Sequence, residues 1–176
     1  MKILFISLGC DKNLADSEEM LGLLTGNGHE IVDSEEEADA IVINTCCFIH
    51  DAKEESVNTI LEMAEYKKNG TCKILIVTGC MAQRYKEEIT EEIPEVDAVL
   101  GTTSYGDIVK ALNEAEAGHV FQEFKDINAL PEDSGRRVIT TGGHFGYLKI
   151  AEGCDKHCTY CIIPSLRGKF RSVPEE

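Results

Sequence analysis

Leu75-Ile76-Val77-Thr78-Gly79-Cys80 is an apolar run that ends in a turn residue and a thiol, and FISLGC (5–10) and IVINTC (41–46) repeat the arrangement. Short runs of this kind, rich in Ile and Val and bounded by glycine or polar residues, read as buried strands of a parallel sheet. They cover residues 3–8, 40–43 and 74–77, with weaker ones at 30–32 and 98–100. Between them, apolar residues recur at helical spacing: Leu14, Leu21 and Leu24; Val57, Ile60, Leu61 and Ala64; Ala82, Tyr85 and Ile89; Ile108, Leu112 and Ala115. Asn13 is placed to cap the first helix, Ser104 with Asp107 forms a capping-box pattern, and Gly26, Gly70 and Gly118 fall where helices should stop. The alternation predicts an α/β fold, an open and mostly parallel sheet with helices on both faces.

The 176 residues hold 32 Asp+Glu against 17 Lys+Arg, a formal net charge of −15, with 43% hydrophobic residues and a mean hydropathy of −0.16. That is the balance of a folded globular chain, and no apolar run approaches the roughly 20 residues of a membrane span, so no membrane partner is expected. The apolar stretch within residues 1–10 is too short for the core of a secretion signal and reads as the first strand. A reducing, cytoplasmic setting follows as an expectation. There, eight cysteines point to metal or redox chemistry rather than to disulfides.

The charge is unevenly spread. Residues 1–135 carry 10 Lys+Arg and 28 Asp+Glu, whereas residues 136–176 carry 7 and 4. The change of character falls near Ser134, inside a stretch without periodicity that holds the turn formers Pro131, Gly135, Gly142 and Gly143. A first domain over 1–118, a linker over 119–143 and a second unit from 144 are expected. An acidic surface repels phosphates, so the first domain suits a basic protein better than nucleic acid.

The fold gives the cysteines a geometry. Cys10, Cys46 and Cys80 each follow a strand by one or two residues, and in a parallel sheet such positions open on the carboxyl edge. Strands lie about 4.8 Å apart, which puts ligands on neighbouring strands within reach of a cluster, although strand order is not readable from sequence. A buried cysteine is often only a small apolar filler; three at one place in a repeating unit make that harder to maintain. Cys72 precedes its strand and belongs at the opposite edge, about 20 Å away at some 3.3 Å per residue. Cys47 abuts Cys46, and adjacent side chains diverge, so it reads as a packing or supporting residue. The histidines at 29, 50, 119, 144 and 157 lack metal-ligand spacing.

Near the end, Cys154, Cys158 and Cys161 form a C-x3-C-x2-C loop after an expected strand at 147–150 and after Gly153, which permits a tight turn. Structural zinc takes four ligands, and no later cysteine supplies one. An iron–sulfur cluster usually takes four thiolates, so three leave one iron open to a substrate or cofactor.

The loop, with an aromatic residue before its last cysteine, resembles that of the radical S-adenosylmethionine enzymes. GCDKNLADSE (9–18), NTCCFIHDAKEES (44–56), TGCMAQRY (78–85) and LKIAEGCDKHCTYCIIPSLRG (148–168) narrow the resemblance to the methylthiotransferases of that family. The wording KNLADSE and AKEES resembles the branch that acts on protein twelve of the small ribosomal subunit.

The resemblance implies two 4Fe-4S clusters. Cys10, Cys46 and Cys80 would hold an auxiliary cluster that carries the transferred sulfur, and Cys154, Cys158 and Cys161 the cluster that binds S-adenosylmethionine, with Tyr160 against the adenine. It implies a radical reaction at the β-carbon of an aspartate, whose C–H bond lies beyond a positioned side-chain base, and an electron donor as a further partner. No catalytic residue beyond the cluster ligands is indicated. Two departures stand out. Cys47 occupies a position where the family commonly has glycine, and only 15 residues follow Cys161, against the about 250 of a full (β/α)8 barrel. The chain therefore reads as an N-terminal fragment, inactive alone, with its segment after about 140 short of strand partners and poorly ordered. The tRNA-modifying branch of the family, a non-catalytic iron–sulfur module and a zinc-stabilised interaction domain are the alternatives.

Overall fold

Six short strands, the inner ones apolar on both faces, make one parallel sheet in the computed structural model, which describes residues 1–130 and 135–174. In chain order the first part runs β1 (Lys2–Ser7), α1 (Asp11–Gly26), β2 (Glu30–Val32), β3 (Ala40–Thr45), α2 (His50–Asn69), β4 (Ile74–Gly79), α3 (Cys80–Arg84), α4 (Lys86–Glu92), β5 (Ala98–Leu100), α5 (Ile108–Glu116) and β6 (Phe121–Glu123). Pro131 and Ser134, where the sequence changes character, lie outside the described residues. The strand order is β2-β1-β3-β4-β5-β6, a doubly wound sheet whose direction of winding reverses between β1 and β3.

The reason for the continuous apolar runs is visible in the two cores. Alternate residues of β3 and β4 point to opposite faces. Ile41, Ile43, Leu75 and Val77 pack with Ile60, Met63, Ala82 and Ile89 of α2, α3 and α4. Ala40, Val42, Ile74 and Ile76 pack with Met20, Leu24, Ile108 and Leu112 of α1 and α5. Each such side chain taken from water contributes about 1.5–3 kcal/mol, so the two central strands dominate the stability of the sheet.

Several details differ from the sequence reading. Asn13 does not cap α1; Cys10 does, and Asn13 lies one turn inside with no exposure. Ser104 precedes a single 3-10 turn over Tyr105–Asp107 without a side-chain cap, its hydroxyl accepting instead the Lys125 N–H at 2.9 Å. The pattern through Ala82, Tyr85 and Ile89 is not one helix but two, parted at Tyr85, whose backbone leaves helical geometry and whose ring lies beneath Lys53 and Arg84. The aperiodic stretch after Gly118 supplies a sixth strand, β6, paired with β5. At three residues with little burial, it is too short to show a period.

The expected strand at 147–150 does not form; pairing begins one residue later, with β7 (Ala151–Glu152) antiparallel to β8 (Arg171–Ser172) across α6 (Ile163–Arg167). Its apolar Leu148 and Ile150 stay 82% and 69% exposed, so no core extends the strand. Even so, the segment is not left hanging. Leu166 is buried in the same core as Ile41 and Val77, and its carbonyl accepts the Thr102 hydroxyl at 2.7 Å.

Ile76→Ala, in a fully buried position, is expected to lower unfolding stability by about 2–5 kcal/mol in urea titrations, whereas Leu61→Ala, on the exposed side of α2, should cost under about 1 kcal/mol.

Candidate functional site

Cys10, Cys46 and Cys80 follow β1, β3 and β4, which are adjacent in the sheet. Register fixes their relative height: Thr45 pairs with Gly79, so Cys46 and Cys80 emerge side by side, and Ser7 pairs with Asn44, so Cys10 enters α1 just beyond them. All three line a single cavity of about 880 Å³ at the carboxyl edge, next to the point where the winding reverses. Gly9 makes the close approach of the β1 and β3 loops possible. Its φ is +96°, and a Cβ there would lie 2.7 Å from the Cys46 Cβ and 3.0 Å from its Sγ.

The carboxyl edge is tied together by polar side chains that the sequence did not single out. Asn13 donates through Nδ2 to the carbonyls of Leu8 and Thr45, both at 2.9 Å, fixing the ends of β1 and β3. Its Oδ1 accepts from the Cys80 thiol at 3.8 Å and from Arg167 Nη2 at 2.5 Å. Asn44 donates to the Asn13 carbonyl and to Ser17 Oγ, and Ser56, from α2, both accepts the Cys46 N–H at 3.0 Å and donates to the Cys46 carbonyl at 2.8 Å. Asn13 and Ser17 of GCDKNLADSE and the first and last residues of NTCCFIHDAKEES, Asn44 and Ser56, are therefore a scaffold around the thiols.

Burial pushes the Cys80 thiol above its ordinary pKa, and the nearby Arg167 guanidinium partly opposes it. Cys47 faces away from the cavity. It is buried in the apolar layer, its thiol donates to the Cys80 carbonyl at 3.3 Å, and burial followed by the Cys80 thiol pushes it up to about 11. Cys72 sits before β4 at the opposite edge, with its thiol on the Ile74 carbonyl. None of the five histidines lines the cavity.

The second trio occupies the loop between β7 and α6. Cys154 and Cys161 are half-buried and Cys158 is exposed. The Cys161 N–H donates to the Cys158 carbonyl at 3.0 Å, and the Lys156 N–H points at the Cys154 sulfur at 3.4 Å. Gly153, at φ +71°, passes so close to the Gly168 and Lys169 carbonyls that a Cβ would have no room. Tyr160 is 88% exposed. All eight cysteines are free, and among the described residues no three His, Cys, Asp or Glu side chains close on a point that a single ion would fill.

A group of buried charges joins the two regions. Arg167 at the end of α6 reaches Asp16 at 2.6 Å and Glu152 at 3.5 Å, and Lys149 reaches Asp16 at 2.5 Å and Glu152 at 3.0 Å. Lys12 adds a bond to the Ala151 carbonyl at 2.9 Å. Upstream, Arg137 and Thr140 close on the buried Glu18, so that residues 137–140 run across α1. Burial disfavours the Lys149 ammonium, but Asp16, Tyr105 and Glu152 outweigh it and raise its pKa. Glu152 mirrors this, with Arg167 and Lys149 overriding burial to lower it.

A doubly wound α/β domain with three thiols gathered at its carboxyl edge, and a second cysteine loop laid against that edge, defines the class. The family described as "Uncharacterized protein family UPF0004" matches residues 2–101, and the chain belongs to it. The chain is 66% identical over its full length to the ribosomal protein uS12 methylthiotransferase RimO of Lachnoclostridium phytofermentans. It is 52% identical over 98% of its length to the RimO of Clostridioides difficile, and 51% over 97% to that of Desulforamulus reducens. It spans about 40% of the length of these relatives. Among the described residues no helix is long and apolar enough to cross a membrane.

Because Glu152 is held below the ordinary carboxylate range in the folded state, its contribution to stability is complete above the unfolded value of about 4.5 and is lost as pH falls through the lower folded one. Acid titration of urea stability should therefore be steeper below about pH 4.5 in the unaltered chain than in Glu152→Gln, with a residual slope to which Glu18 and Glu95, whose pKa values are also lowered, contribute.

Proposed function

We propose that the chain is the cysteine-bearing portion of a radical S-adenosylmethionine methylthiotransferase. Its target is the β-carbon of an aspartate in ribosomal protein uS12, in the cytoplasm and with an external electron donor. The observation that carries the reading is the convergence of Cys10, Cys46 and Cys80 from three adjacent strands on one cavity. In it these three hold an auxiliary 4Fe-4S cluster, and Cys154, Cys158 and Cys161 hold a second whose open iron takes S-adenosylmethionine, with Tyr160 against the adenine. When bound, the two groups supply the hydrogen-abstracting radical and the sulfur to be transferred.

The donor set fits such groups: six free thiols, soft ligands, in two sets of three. The rest of the chemistry assigned to this chain is placement. Ser56 and Asn13 fix the backbone at Cys46 and the ends of β1 and β3, so the thiols open on the cavity without rearrangement. Leu8, Phe48, Ile49 and Leu166 give the cavity apolar walls that limit water around a reactive centre. The acidic surface of the sheet domain complements a basic ribosomal protein and disfavours RNA, which supports uS12 over a tRNA as the substrate.

The test is anaerobic reconstitution with ferrous iron and sulfide, followed by iron and sulfide counts. The unaltered chain is expected to take up two clusters. Replacing Cys10, Cys46 and Cys80 together by Ala should remove about half of the iron, and Cys72→Ala none. Uptake of zinc without sulfide, or iron uptake insensitive to Cys10, Cys46 and Cys80, overturns the reading.

A further inference from the structure

Of the four charged side chains joined behind the thiol cavity, Asp16, Lys149, Glu152 and Arg167, Arg167 alone also lines it. Its Nη1 is spent on Asp16 and Glu152, and its Nη2 donates to Asn13 Oδ1 at 2.5 Å. The same oxygen accepts the Cys80 thiol at 3.8 Å, so the guanidinium and the Cys80 sulfur are neighbours around one acceptor. Arg167 is 4% exposed, which leaves its charge poorly screened, whereas the other charged residues lining the cavity, Lys12, Asp51 and Glu55, reach solvent. A guanidinium stays charged at every accessible pH. Neither of the two carboxylates that balance it lines the cavity, although Asp16 is near enough to Cys80 to offset part of the charge.

We propose that Arg167 is a positioning residue for the sulfur site: Asp16, Glu152 and Asn13 fix its guanidinium beside Cys80, so that a permanent positive charge faces the group held by Cys10, Cys46 and Cys80 and raises its reduction potential. The inference rests on the cluster assignment proposed above for those three cysteines. Its physical basis is general, since the potential of an iron–sulfur centre follows the local charge and the hydrogen bonds near its sulfurs.

The test uses the 176-residue chain with Cys154, Cys158 and Cys161 changed to Ala, reconstituted anaerobically and titrated for potential by absorbance and EPR. Arg167→Met keeps the volume and removes the charge, and Arg167→Lys keeps the charge. Both are expected to bind as much iron as the parent, Arg167→Met at a more negative potential and Arg167→Lys near the parental one. Arg167→Met leaves Asp16 with Lys149 as its partner, so the double variant Asp16→Asn/Arg167→Met, which removes one charge of each sign, is measured beside it and should also shift negative, by less than Arg167→Met alone. Full iron loading at the parental potential in whichever of the two folds overturns the role of Arg167. A parent that takes up no iron overturns the site assignment itself.

Discussion

Because the six strands run in one direction, whatever follows a strand is delivered to one edge of the sheet, and everything distinctive about this chain is found there. At the opposite edge lies Cys72, buried in the apolar core with its thiol on the Ile74 carbonyl of its own strand. Direction alone would not bring three thiols together, since strands at opposite ends of a six-stranded sheet are some 24 Å apart at about 4.8 Å per step. Adjacency of β1, β3 and β4 is what reduces that span to two steps. The polar scaffold then converts proximity into fixed geometry: an amide at Asn13 bridges two strand ends, and a hydroxyl at Ser56 holds both backbone groups of Cys46.

The buried charges follow a different energetic logic from the apolar faces. Taking Asp16, Glu152, Lys149 and Arg167 out of water costs several kcal/mol per ion, and their mutual attraction offsets that cost without adding much. Two charges of each sign within one group keep the balance near neutral. Stability of the domain is thus owed to Ile41, Ile76 and their neighbours, while the ion group specifies where the segment after residue 147 sits. An apolar contact would tolerate a shift of that segment by a residue; a guanidinium that must meet Asp16 and Asn13 together would not.

Much of the sheet domain was legible from local pattern. The runs at 30–32 and 98–100 coincide with β2 and β5, and the helices of α1, α2 and α5 follow their apolar spacing. The common edge of Cys10, Cys46 and Cys80 followed from strand direction alone. What local pattern did not carry is any contact between distant residues. Strand order, the role of Asn13 as a bridge rather than a cap, and the pairing of Arg167 with Asp16 at a separation of 151 positions are examples. A signal was present in the third case: Asp16, Ser17 and Glu18 stand in a row on a helix that must be buried on one side, and polar residues at such positions need partners. The segment after 140 was judged by its lack of strand partners, and that criterion missed the buried ion pairs that seat it.

The placement of α6 connects the two sets of cysteines. The helix begins two residues after Cys161 and ends at Arg167, which lines the cavity of the other three thiols. A helix rises about 1.5 Å per residue, so a five-residue helix spans about 7.5 Å and leaves little freedom between its ends. Its first end is set by the cysteine loop, and its last by Thr102, Asp16 and Asn13, all on the sheet domain. The distance between the two thiol sites is therefore set by a short rigid element clamped at one end by buried polar contacts, not by the long aperiodic stretch that precedes it. For any chemistry in which a species made at one site must react at the other, that spacing is the quantity to be controlled, because misplacement by about 1 Å can cost two orders of magnitude in rate.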